Sequence, residues 1–282
     1  MKAGTKKIRR AGLGTLLKYI ILLALIIIVL FPLIWLFSGS VKLEKEILQY
    51  PPTLFGTEIT WKNFIRIFDT IPMGNYLKNT VIFAGFSTFF ALLFDSMAGY
   101  AFARLRFKGK NIIFICVLMT MMVPFQVMMI PLFLESNFMG LLNTYPGLIL
   151  PKMTTAFGIF MMRSYFAALP KELEEAARVD GVSEIGIYFK IMLPLVKPGL
   201  MTLGIFHLMN NWNDLLYPLM MTSETNMRTL SAGLALFVGE HATLYYGPQL
   251  AGAVISILPL LILYIFFQKY FVSSAVSSGI KG

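Results

Sequence analysis

Six apolar stretches of 19 to 25 residues divide this sequence, and about 20 helical residues are needed to cross a hydrocarbon core roughly 30 Å thick. They run over 19–37, 79–103, 112–134, 146–166, 198–220 and 250–271. Inside such a core each backbone polar group must be satisfied within its own segment, so stretches of this kind become helices. The expectation is an all-α integral membrane protein of six transmembrane helices, with one membrane domain over 19–272 and too little chain left for an ordinary soluble domain. Composition agrees: 57% of residues are hydrophobic and 13% charged, against about 45–50% and 25% in soluble domains.

The net charge of +10 fits either a nucleic-acid partner or a membrane topology, and the placement of the cations decides between them. An even number of spans puts both termini on one side. If that side is the cytoplasm, 17 of the 24 Lys and Arg residues lie inside, in a basic N-terminus over 1–18, the 104–110 loop, the segment around and after the end of span four, with Arg163, and the 273–282 tail, with Lys269 at the inner end of span six. Lys42, Lys45, Lys62, Arg66, Lys78 and Arg228 lie outside, and Lys152 falls within a span. Both termini are therefore expected in the cytoplasm, and lipid rather than nucleic acid accounts for the charge. The apolar run 20–37 exceeds the 7–15 residues of a signal-peptide core, so the first helix is expected to stay on the chain despite the small residues Ser38, Gly39 and Ser40.

Several chemistries are excluded. There is no GxxxxGK[ST] phosphate loop, so no ATP site is expected in this chain, and no HExxH or CxxC either. The two histidines, His207 and His241, lie in different regions, and the lone Cys116 reads as packing. No catalytic constellation assembles, which argues against an enzyme.

The most informative segment is 169–197. Pro170 suits a first helical position, Glu172, Glu174 and Glu175 sit near the positive end of the helix dipole and Arg178 near the negative end. Gly181 supplies a left-handed residue to end that helix. Ser183 caps a second helix, in which Ile185, Phe189 and Met192 share a face and which Pro194 stops. The product is a helix-turn-helix elbow between spans four and five. Ala176 and Ala177 add little bulk beside the charge of Glu175, a combination suited to docking a partner protein, whereas three glutamates suit an anionic leaflet poorly.

Glu175-Ala176-Ala177, three residues, Gly181, nine residues, then Ile191 to Leu193 and Pro194 fit the pattern EAA-x3-G-x9-I-x-L-P. This resembles the signature of permease subunits in binding-protein-dependent ABC importers, and within them the MalG-like sugar permeases. Asn211 to Asp214 followed by Tyr217-Pro218-Leu219, the turn Gly140 to Tyr145 and the Lys281-Gly282 end are similar to that subfamily; Ser273-Ser274 depart from it where glycine is usual. The resemblance implies that Glu175, Ala176, Ala177, Gly181, Leu193 and Pro194 couple the chain to an ATPase subunit on the cytoplasmic face of a prokaryotic inner membrane. It further implies an ATPase dimer carrying the ATP and Mg, a second MalF-like permease, an extracytoplasmic solute-binding protein and a sugar substrate.

Polar side chains in a membrane interior need a partner or water. Asp95 and Asp214 are such cases. His207, Asn210, Asp214 and Tyr217 recur at helical spacing, with Asn211 and Asn213 at the edges, and Gln126 lies between Pro124 and Pro131. These residues read either as the wall of a solute path or as glue between helices. A six-helix secondary carrier or channel working without ATP is the alternative class, but such a carrier needs its own coupling carboxylates and often a repeat, and no repeat is found.

Overall fold

In the computed structural model, residues 13–241 and 245–279 are described, and every regular element among them is helical. Most of the basic N-terminus and the Lys281-Gly282 end lie outside these residues. In chain order the helices are α1 (Leu13–Ser40), α2 (Glu44–Ile47), α3 (Lys62–Thr70), α4 (Met73–Arg104), α5 (Lys110–Thr120), α6 (Phe125–Phe138) and α7 (Tyr145–Ile149). They continue as α8 (Ala156–Ala167), α9 (Glu172–Val179), α10 (Glu184–Leu195), α11 (Lys197–Asn213), α12 (Leu216–Met221), α13 (Leu230–His241) and α14 (Tyr246–Gly279).

The chain divides into two compact units, Met1–Ile67 with Ala242–Ile255 and Phe68–His241 with Ser256–Gly282. In the first, the Asn63 amide donates to the carbonyls of Ser40 and Lys42, at 3.0 and 2.8 Å, and so satisfies the end of α1. Glu44 accepts from the backbone N–H groups of Tyr246 and Gly247, which closes the start of α14. In the second unit α4 is the spine. Its 32 residues span roughly 48 Å at 1.5 Å per residue, and it packs along α8 and α11.

Gly14–Ser40, Met73–Arg104 and Tyr246–Gln268 are continuous helices long and apolar enough to cross a membrane. The other expected spans are broken, and prolines explain where. A proline ring clashes with the carbonyl four residues earlier and offers no N–H to it. Pro124 stands four after Thr120, the last residue of α5, and α5 and α6 meet at 98°. Pro218 stands four after Asp214, and α11 ends at Asn213. Pro151 stands four after Gly147, whose freed carbonyl accepts from the Tyr217 hydroxyl. The 146–166 stretch is accordingly α7, a 3-10 turn over Leu150–Lys152, and α8 restarted by Thr155, whose hydroxyl accepts from Gly158 N–H at 2.9 Å.

Candidate functional site

The elbow is present as α9 and α10. Gly181 has φ +76°, and the N–H groups of Val182 and Gly181 bond the carbonyls of Ala177 and Arg178 at 3.0 and 3.1 Å, the paired bonds of a Schellman stop. Ser183 caps α10 by accepting from Gly186 N–H at 3.2 Å. Across the turn the Arg178 guanidinium donates to both carboxylate oxygens of Glu184, at 2.6 and 3.2 Å. That bond holds the Glu184 carboxyl below and the Arg178 guanidinium above their ordinary ranges.

Two expectations about α10 change. Pro194 does not stop it: residues Ile187–Met192 wind as a π-helix, and the chain turns only after Leu195, bending 79° into α11. The wider π turn relieves the Pro194 ring of the carbonyl it would strike in an α-helix. Because that turn shifts the register, the buried face is Ile187, Tyr188 and Met192, while Ile185 and Phe189 are exposed. Similarly, Ala177 is buried against Tyr100, Phe166 and Tyr188, whereas Glu175, Ala176, Gly181 and Pro194 are exposed and Leu193 is half-buried. The outer surface of the elbow is thus a small knob, and its inner surface is core.

Glu174, one position before the exposed Glu175, points inward. It is 4% exposed and lies 3.5 Å from Arg104 and 3.8 Å from Arg178. Burial raises its carboxyl above the ordinary range, and the two guanidinium groups offset that in part. Arg104 also donates to the Leu169 carbonyl, so the last turn of α4 holds the elbow's entrance.

The predicted polar stripe does not form one face, because α11 ends before Asp214 reaches it. His207 is buried and lies 3.1 Å from the fully buried Asp95 of α4. Asp95 also accepts from the Thr154 hydroxyl, the Thr155 N–H and the Thr155 hydroxyl, at 2.7, 2.9 and 3.1 Å. A Cβ added at Gly158 would sit 1.8 Å from Asp95 Oδ2, so this contact needs the glycine. Asp214 is paired with Lys152 at 2.7 Å and accepts from Tyr217 N–H at 3.2 Å, joining the two helix breaks. Tyr217 is fully buried, and Asn211 is buried with its amide 3.5 Å from Thr88. Asn210, Asn213 and Gln126 are exposed. On another side of α11, with Leu200, Gly204 and Leu208, lies a cavity of about 430 Å³ whose further lining includes Leu92, Leu260 and Leu263. It is too apolar to attract a hydroxyl-rich solute.

Thr154, Thr155 and Gly158 escaped the sequence reading. The threonine cap three residues before a glycine was the available signal. Among the described residues, no three His, Cys, Asp or Glu side chains converge to hold a metal ion.

Residues 95–275 match the family described as the binding-protein-dependent transport system inner membrane component. The chain is 40% identical to the arabinooligosaccharides transport system permease protein AraQ of Halalkalibacterium halodurans, covering 90% of this chain and 92% of that protein. It is 35% identical to the trehalose/maltose transport system permease protein MalG of Thermococcus litoralis, covering 91% and 93%. Among solved structures, a bacterial ABC transporter involved in the import of the acidic polysaccharide alginate has a chain that superposes with a TM-score of 0.81 at 25% identity, covering 96% of this chain and all of that one. The same kind of transporter, bound to a periplasmic protein carrying an alginate pentasaccharide, shares the fold at a TM-score of 0.66 and 17% identity.

Proposed function

Because the chain belongs to the family of binding-protein-dependent transport system inner membrane components, we propose that it forms half of the path by which an ABC importer takes up a sugar or oligosaccharide. An extracytoplasmic binding protein delivers the solute, a second, homologous permease supplies the other half of the path, and a dimer of ATPase subunits holds the ATP and Mg. Its relatives named for arabinooligosaccharides and for trehalose and maltose support the solute class.

The elbow carries this reading. It presents the exposed Glu175, Ala176 and Gly181 outward while α9 and α10 pack their inner faces on α4 and α8, the build of a part that takes force at one surface and delivers it at the other. Leu193 and Pro194 continue it into the bend before α11. Taking α1, α4, α5 with α6, α7 with α8, α11 with α12, and α14 as six crossings, both termini fall on one side, and the inner excess of Lys and Arg supports the cytoplasm as that side, with the elbow facing it. The exposed Asn210, Asn213 and Gln126 are the groups available to solute hydroxyls; Asn211, Asp214 and Tyr217 serve the path by fixing its wall.

Co-purification from detergent-solubilised membranes tests this, comparing wild type with Gly181→Asp. An aspartate at φ +76° is strained, and its charge falls on the proposed docking knob. An ATPase subunit and a second permease should accompany the wild type and be lost, or hydrolyse ATP without transport, in the variant. A chain that purifies alone and moves solute in liposomes without ATP is a secondary carrier instead.

A further inference from the structure

Two polar ties join the elbow to α4. One, Arg104 to Glu174, lies at the end of the spine. The other lies two turns deeper, where the hydroxyls of Ser96 and Tyr188 meet at 2.7 Å, both side chains being buried. The direction of that bond follows from its surroundings. Ser96 Oγ also lies 3.0 Å from the Leu93 carbonyl, which can only accept, so the serine spends its single proton there and the Tyr188 hydroxyl donates to Ser96. Tyr188 sits in the π-helical stretch, with its ring 5.3 Å from Tyr100 and 6.2 Å from Phe166.

The residue next to Ser96 is Asp95, whose bonds to Thr154, Thr155 and His207 lock α4 to the start of α8 and the middle of α11. Adjacent positions of one helix thus face two ways: Asp95 binds the spine to its neighbours, and Ser96 receives the elbow. The aromatic contacts around Tyr188 are tilted ring pairs 5.3 and 6.2 Å apart, whose broad geometric preference tolerates small displacements. The hydroxyl pair is directional and specifies one position of α10 along α4.

Resting on the importer reading above, we propose that Tyr188 is a positioning residue for transport, its hydrogen bond to Ser96 setting how much of the elbow's displacement reaches the α4–α8–α11 unit. Removing the hydroxyl leaves the elbow docked but lets it slip.

The test uses the assembled complex, with a reporter cysteine at Asn213→Cys in a Cys116→Ala background, since Cys116 is the only cysteine of the chain. The readout is the change that ATP with vanadate causes in the rate of labelling by a membrane-impermeant maleimide. With Tyr188→Phe, co-purification of the ATPase subunit should stay as in the parent and the thermal midpoint should fall by no more than about 2–4 °C, the cost of one buried hydrogen bond in a chain of this size, while the ATP-driven change should shrink roughly fivefold, the factor to which that same bond corresponds. Ser96→Ala, which removes the acceptor from the other helix, should do the same, and the double variant should be no worse than either single one. If Tyr188→Phe does not assemble, Ser96→Ala alone decides. A full ATP-driven change in either assembled variant, or additive losses in the double, overturns the positioning role. No ATP-driven change in the parent overturns the importer reading, and this inference with it.

Discussion

Two buried carboxylates, Asp95 in the helix core and Glu174 in the elbow, solve the same electrostatic problem in opposite ways. Asp95 is held by four short bonds, three from Thr154 and Thr155 at the N-terminus of α8, where the helix dipole favours an anion, and one from His207 on α11. Glu174 has only two guanidinium groups at 3.5 and 3.8 Å, beyond good hydrogen-bond range, and its carboxyl is raised by burial. The first arrangement makes three helices one piece. The second holds the elbow by charge without fixing its geometry, which suits the moving part proposed above.

Breaking the first arrangement should cost most. Gly158→Ala drives a methyl group into the Asp95 carboxylate, and Asp95→Ala strips His207 and Thr155 of their acceptor. Each should destabilise the detergent-solubilised protein by about 3–5 kcal/mol, read as loss of the monodisperse peak in size-exclusion chromatography; a stable Gly158→Ala protein would mean the two helices are looser than described. Lys152→Met is next: it leaves Asp214 unpaired beside the helix break, and should lower the thermal midpoint by an amount corresponding to about 1–3 kcal/mol. A smaller effect is expected for Glu174→Gln, which keeps the shape and removes a charge that is already partly disfavoured.

The elbow's pH response sharpens the contrast. A carboxyl raised in the folded state, as in Glu174, favours folding below its unfolded value of 4.5, and that contribution is lost as pH rises through the folded value. Glu184, lowered by its bond to Arg178, contributes above 4.5, and its contribution is lost as pH falls through the folded value. Thermal midpoints measured on both sides of pH 4.5 should therefore lose their high-pH decline in Glu174→Gln and their low-pH decline in Glu184→Gln. The smallest effect is on stability from Asn210→Ala with Asn213→Ala, exposed side chains whose removal should leave the midpoint unchanged while weakening transport; unchanged uptake would remove them from the path.

Composition and apolar length made the membrane class legible, and three of the spans, α1, α4 and α14, are continuous much as expected. The elbow was legible because its signals are local: a capping serine, a glycine needing positive φ, charges ordered along a dipole. The breaks at Thr120, Ile149 and Asn213 were harder to read, since apolar windows average over prolines whose effect falls four residues upstream. The polar stripe failed for that reason, as helical spacing was carried past Asn213 to Tyr217, across the break that Pro218 imposes. The partners of Asp95 were out of reach because they lie some 60 and 112 residues away along the chain, and only packing brings them together.

The π-helical turn at Ile187–Met192 also gives the signature spacing a mechanical meaning. A π turn holds one more residue than the α turn it replaces, so the nine positions between Gly181 and Ile191 amount to a count: deleting Phe189 or Lys190, inside the π turn but beyond Tyr188, would let it rewind as α-helix and keep its flanks in register, whereas a deletion between Gly181 and Ile187 would rotate Tyr188 away from Ser96. Length variation in a segment built this way is confined to a single permitted place.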